Sequence, residues 1–376
     1  MFKAKSFGFE HNSVRFCWSS LSKYRYLDSR RSKSDRLLGY ITSMPDALTL
    51  NSTTFSPPLF CAPMAGITHS AFRRLLADYG GYGALFTEML AANSLLVDNF
   101  KTSPYVKRRP AEGKLIYQLL VGITERLDAV FERLRAAHPD GIDINCACPA
   151  PDARFRKAGG TLFEDDARMA QVLHAVRRLW PGPLSVKIRL GKRRDGWQER
   201  LCVKLKLFEE CGVDAVILHP RFSEDKLKRP AAHPLFAWAV GQTRLPIIAS
   251  GDITGPEVVR TRPEHFKGVA GIMVGRMAAL RPWIFRSWCA DQEPEIADYA
   301  GVWERFRAYV CEDFPPEKAL LRLKIFTAYY ARNFFFGHTL AREVQAAVTL
   351  NALEERARAF LVRNPQVVSS PCLASV

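Results

Sequence analysis

Short apolar runs alternate with amphipathic stretches from residue 59 to residue 276. The apolar runs cover 59–65, 84–90, 114–121, 141–148, 184–190, 215–221, 246–252 and 271–276, and each predicts a β-strand. Several are almost continuously apolar, such as Ala215-Val216-Ile217-Leu218, as strands covered on both faces should be. Helical periodicity separates most of them, for example over 125–137 and 165–179. Eight β/α units in this length predict a TIM (β/α)8 barrel. A doubly wound sheet is the alternative, but no G-x-G-x-x-G follows the first run.

Beyond about residue 300 the period becomes helical throughout. Residues 317–332 place Leu320, Leu323, Thr327 and Ala331 on one helical face, and 340–361 reads as a further helix or a pair. The expected organisation is therefore a basic extension over 1–50, a barrel over 51–295, a small all-helical domain over 296–365 and a tail over 366–376. Residues 1–43 carry nine Lys/Arg against three Asp/Glu, with many Ser. A disordered arm, a transit-like peptide and an over-extended frame with Met44 as the true start all fit that composition.

The run Asp143-Ile144-Asn145-Cys146-Ala147-Cys148-Pro149 carries the first chemical signal. Proline has no N–H for the strand ladder, so the strand stops and leaves Cys148 on the loop past its carboxyl end. In parallel α/β folds ligands bind at that end. Also expected there are Pro63, Met64, Ala65, Glu88, Gln118, Asn145, Lys187, Arg189, His219, Arg221, Ser250, Gly251, Asp252, Gly275 and Arg276. A lysine inside a barrel needs a partner, and an anionic or carbonyl-rich ligand would supply one. Ser250-Gly251 and Gly275-Arg276 end the last two strands, where barrels commonly hold phosphate.

Charge widens the picture. The chain has 376 residues and a formal charge of +16. Basic clusters at Lys101 and Lys107–Arg109, Arg154–Lys157, Lys192–Arg194 and Lys226–Arg229 follow the second, fourth, fifth and sixth strands, which predicts a basic rim suited to a polyanion. No apolar run approaches the roughly 20 residues that cross a bilayer, so a soluble protein is expected, and nine scattered cysteines without repeated pair spacing predict reduced thiols in the cytoplasm. Cys146-Ala147-Cys148 is a lone C-x-C without zinc-site spacing, so no metal is expected.

Together these stretches resemble the tRNA-dihydrouridine synthase family. The matching segments are 62–68 (APMAGIT), 87–89 (TEM), 143–149, 186–191 (VKIRLG), 219–221 (HPR), 248–253 (IASGDI) and 272–276 (IMVGR). Ala147, Pro220, Ser250 and Met277 depart from the family pattern. The segment Leu321-Arg322-Leu323-Lys324 is most similar to the type that modifies uridine 16.

The resemblance implies an FMN barrel with a helical tRNA-binding domain. Such an enzyme reduces the C5–C6 bond of a uridine with NADPH or NADH as electron source. By position, Cys148 would protonate C5. Pro63, Met64, Ala65, Gln118, Lys187, His219, Ser250, Gly251, Asp252, Gly275 and Arg276 would hold FMN. Asn145, Arg189, Arg322 and Lys324 would meet the tRNA, with the protein acting as a monomer. A flavin barrel acting on a small molecule and a catalytically silent tRNA binder are the alternatives.

Overall fold

The structure, a computed structural model, describes residues 44–225, 227–290, 298–371 and 373. The expectations for residues 1–43 lie outside the described residues. Within them the barrel is present. Its strands are β3 (Leu59–Cys61), β4 (Leu85–Phe86), β5 (Leu90–Ala91), β6 (Leu115–Leu120), β7 (Gly141–Cys146), β8 (Leu184–Ile188), β9 (Ala215–Leu218), β10 (Ile247–Ser250) and β11 (Gly271–Val274). They pair in parallel in the order β3-β11-β10-β9-β8-β7-β6-β4, with β5 also on β6. A parallel bridge between Phe60 and Ala84 joins the two ends of that row and closes the ring. β4 and β5 together fill the second of eight strand positions.

Each predicted strand exists, but most end two or more residues early. The backbone explains why. Pro63, Pro149 and Pro220 cannot donate to a ladder. Gly191 and Gly251 adopt φ of +76° and +109°, which turns the chain out of the sheet. Cys148, Arg189, His219 and Asp252 therefore sit on the loops just beyond the strands, whereas Gln118, Asn145, Lys187 and Ser250 remain on them.

Inside the barrel, residues alternate with the two-residue period of a strand. On β6, Leu115, Tyr117 and Leu119 pack outward with the helices, whereas Ile116 joins Phe60, Phe86, Ile217, Ile248 and Met273 within the barrel. The same alternation turns Gln118, Asp143, Asn145, Ser185 and Lys187 inward, because Ile142, Ile144, Cys146, Leu184, Val186 and Ile188 belong to the outer core.

An unexpected hairpin, β1 (Leu48–Leu50) and β2 (Thr53–Phe55), turns at Asn51 with φ 54°. It straddles residue 50, where the extension was expected to end. Its Leu48, Leu50 and Phe55 pack on Phe60, Phe86 and Met273 and close the barrel's amino end.

The barrel helices are α1 (Ser70–Ala77), α2 (Leu127–Arg135), α3 (Pro151–Phe155), α4 (Gly160–Phe163), α5 (Asp166–Leu179), α6 (Trp197–Glu210), α7 (Pro234–Val240), α8 (Pro256–Arg260), α9 (Arg276–Leu280) and α10 (Ile284–Ala290). Four more follow: α11 (Tyr299–Asp313), α12 (Pro316–Tyr330), α13 (Gly337–Ala346) and α14 (Leu350–Leu361). Residues 340–361 are thus a pair. α11 packs on α1, and Phe306 lies 3.9 Å from Phe326 and 6.3 Å from Phe72 between ring centres.

Ion pairs close the same seam. Lys107 pairs with Asp313, Arg109 reaches Glu312 and Asp313 at 2.8 and 2.7 Å, and Arg74 reaches Glu312 at 2.5 Å. Arg108 pairs with Asp140 at 2.8 Å. This corrects the expectation of a basic rim at 107–109: those charges are engaged with carboxylates some 200 residues away and close by. The tail is also fastened. Val367 bridges Phe334, and Arg281 donates to the carbonyls of Val368 and Ser369 at 2.9 Å each.

Candidate active site

The mouth of the barrel holds two connected polar groups. The first is a chain of hydrogen bonds that ends at Cys148. The Ser185 hydroxyl donates to Asp143 Oδ1 at 2.6 Å, and Gln118 Nε2 donates to Asp143 Oδ2 at 2.7 Å. Asn145 Nδ2 donates to Gln118 Oε1 at 2.9 Å. Asn145 Oδ1 then accepts the backbone N–H groups of Ala147 and Cys148 at 3.0 and 2.9 Å. The Cys148 carbonyl accepts Gly160 N–H at 2.9 Å. A β-carbon on Gly159, at φ +60°, would come within 2.7 Å of that carbonyl, so the loop closes only over glycine. The chain of bonds ends at the backbone of Cys148, a half-buried free cysteine.

The neighbouring strand adds cations. Lys187 is register partner to Asn145 and is 8% exposed. Burial pulls its ammonium down to about 8, and only partly is this opposed by Asp143. Burial in turn pushes the Asp143 carboxyl up to about 7, against the pull of Ser185, Gln118 and Lys187. Arg189 Nη1 is buried and has no partner among the described residues. Burial, then the charge of Arg221, holds its guanidinium below the ordinary value.

The second group links the last three strand ends. Arg221 Nη1 lies 2.8 Å from His219 Nε2. A guanidinium only donates, so His219 Nε2 accepts and the ring carries its proton on Nδ1. Burial and the surrounding cations keep that ring neutral. Asp252, in the left-handed region at φ 52°, pairs with Arg221 and with Arg276 Nη2, the latter at 2.8 Å. It also accepts Ala231 N–H at 2.9 Å. Arg276 Nη1 donates to the Leu373 carbonyl at 3.2 Å. Ser250 is buried, and a β-carbon on Gly251 would stand 2.8 Å from His219.

The loop after β3 forms a third wall. Met64 N–H donates to Thr68 Oγ1 at 3.0 Å, and Gly66 N–H donates to Glu88 Oε2 at 2.8 Å. Ala65 is exposed between them and Pro63 is half-buried. Glu88 Oε1 is buried without a partner among the described residues. Arg322 meets this loop from α12, since a β-carbon on Gly66 would lie 3.1 Å from its Nη1. Its guanidinium rests over Tyr105 and Phe314, 5.6 Å from each ring centre, and donates to Tyr105 Oη at 2.8 Å. Arg322 therefore stands in the seam between barrel and helices. Lys324 is two residues on along α12, and its carbonyl accepts Gln345 Nε2 at 3.0 Å.

Asp143 and Ser185 are additions to the expected set. Their signal is the two-residue alternation of Asp143 with Asn145 and of Ser185 with Lys187. Cys146, two residues from Cys148, points into the outer core and burial pushes its thiol up, in keeping with a packing role.

The family profile described as Dihydrouridine synthase (Dus) matches residues 60–362. The chain belongs to the dihydrouridine synthase family. It is 33% identical to "tRNA-dihydrouridine synthase B" of Pseudomonas putida over 243 residues, 64% of this chain and 70% of that one. It is 34% identical to the protein of the same name from Proteus vulgaris, over 61% of this chain and 69% of that one. A solved old yellow enzyme homologue from Zymomonas mobilis aligns at a TM-score of 0.48 and 13% identity, covering 69% of this chain and 95% of that one. That last likeness is too loose to bear on ligands. The family match spans the barrel mouth and the four terminal helices alike. Among the described residues of this dihydrouridine synthase, no helix is long and apolar enough to cross a membrane.

Proposed function

We propose that this chain reduces the C5–C6 double bond of a uridine in the tRNA D-loop, at position 16, with Cys148 as proton donor to C5. The observation that carries this reading is the hydrogen-bonded chain from Ser185 to the Cys148 loop, beside the buried Lys187. FMN, when bound and reduced by NADPH or NADH, would supply the hydride for C6. The mouth fits such a group. Lys187 has no carboxylate within ion-pair reach among the described residues, Arg189 Nη1 lacks a partner, and Gly251 opens its backbone where a side chain would collide.

Lys187, His219, Ser250, Gly251, Gly275 and Arg276 would hold the cofactor's polar edge and phosphate. Pro63, Met64 and Ala65 would lie along its ring. Gln118 and Asp252 serve through their neighbours, the one by orienting Asn145 and the other by holding Arg276. Lys187 and Arg189 oppose negative charge that develops in the mouth. Asn145 fixes the Cys148 loop so that the thiol proton stands ready for C5. A uridine reaches this depth only when taken out of its stack. The helical unit over 296–365 would grip the rest of the tRNA, with Lys324 on its surface and Arg322 setting the Gly66 loop from the seam.

Dihydrouridine mapping in tRNA from cells with and without this gene tests the reading. Loss at position 16 supports it in full, whereas loss elsewhere in the D-loop discards only the position. Cys148→Ala should keep its flavin and lose roughly 100-fold or more in tRNA reduction. Normal turnover by that variant would remove the role given to the thiol.

A further inference from the structure

We infer that Phe155 is a stacking platform for a base next to the reduced uridine, with Arg154 and Lys157 as its phosphate contacts. This rests on the tRNA reading above. Helix α3 begins three residues after Cys148. Its Ala153 is fully buried against Leu120 and Ala158, and Cys148 and Met89 pack at the edge of the same small cluster. The helix is thus anchored beside the thiol. Yet Phe155 at its end is 87% exposed, and Ile123 across from it is 49% exposed. Both line a hollow of about 240 Å³ together with Asn93, Gly122 and Lys157. Its wall is set by the backbone, because a β-carbon on Gly122 would stand 1.8 Å from the Arg156 carbonyl.

A bare aromatic ring on a fixed wall is an apolar face without a protein neighbour. The charges around it identify the occupant. Arg156 and Lys157 line the same hollow, Arg154 is the exposed residue just before the ring, and Asp152 pairs with Arg156 at 3.0 Å. Arg154 and Lys157 make no ion pair among the described residues. A flat apolar face with cations beside it suits a base with its phosphates, and single-stranded RNA is commonly held by base–aromatic stacking. Taking one uridine out of a loop strips its neighbour of a stacking partner, and Phe155 stands where a replacement is needed.

The test is binding of an unmodified tRNA transcript to the flavin-loaded protein across a salt series. Phe155→Ala and Phe155→Leu should weaken binding about tenfold. Phe155→Tyr should stay within about twofold of the parent, and flavin content and Tm should be unchanged in all three. Lys157→Ala should lower the salt slope by about one, whereas Phe155→Ala leaves it alone. Parent-like binding by Phe155→Ala overturns the platform while the tRNA reading stands. Parent-like binding by Phe155→Leu overturns stacking in favour of plain apolar contact. A parent protein that binds no tRNA overturns both.

Discussion

The two ends of the barrel are built from the same eight strands and differ in almost everything else. At the amino end the interior is carbon: Phe55, Phe60 and Phe86 meet edge to face, with ring centres 5.6 and 6.3 Å apart. At the carboxyl end the interior is Gln118, Asp143, Asn145, Ser185 and Lys187. One end gains stability from burial. The other gives up some of it by keeping ionisable groups away from water, and that is where ligands can repay the loss.

Substitutions can separate the ends. Phe60→Ala should cost about 3–5 kcal/mol in denaturant unfolding, because it opens a cavity at the packed end. A loss under about 1 kcal/mol would show that the plug is slack. Asp143→Ala leaves the Ser185 hydroxyl and Gln118 Nε2 without their acceptor, and should cost about 1–3 kcal/mol. It should lower tRNA reduction further than its stability loss explains, through a looser Cys148 loop; equal losses would detach the chain of bonds from the reaction.

Lys187→Met addresses the polar end by pH. Without a ligand, the folded-state pKa of Lys187 is about 8 against an ordinary 10.5. The folded chain then binds fewer protons than the unfolded one between those values, so stability from this group rises with pH across that window. The stability advantage of Lys187→Met should shrink from pH 8 to 10.5. Asp143 acts in the opposite sense, with a folded value near 7 against 3.8, so its contribution is lost as pH rises from 3.8 to 7. A flat difference between parent and variant above pH 8 would mean the lysine is not penalised. The smallest effect is expected at Arg156→Ala, whose exposed pair with Asp152 should be worth less than about 0.5 kcal/mol in the same unfolding measurement.

The eight strands were legible because they run as short, mostly apolar stretches, and their order follows from the chirality of βαβ units. Their ends were less so, since apolar residues such as Ile253 continue past the point where glycine has turned the backbone. The hairpin over 48–55 carries alternating Leu48 and Leu50 and an Asn at its turn, a readable signal in a segment too short to weigh against its basic neighbours. Lys107, Arg108 and Arg109 were misplaced because their partners Glu312, Asp313 and Asp140 are distant in sequence. The thiol, the lysine and Asn145 stood out as polar residues on apolar strands. Phe155 did not, because only the fold shows that an aromatic residue has been left uncovered.

The hairpin stopper has a kinetic consequence. A cylinder closed at its foot has one doorway, and everything that reaches its interior shares it. On the proposed chemistry, a pyridine nucleotide and an extruded uridine must take turns at that doorway. The two half-reactions would then alternate, and initial rates should give parallel double-reciprocal lines when reductant and tRNA are varied together.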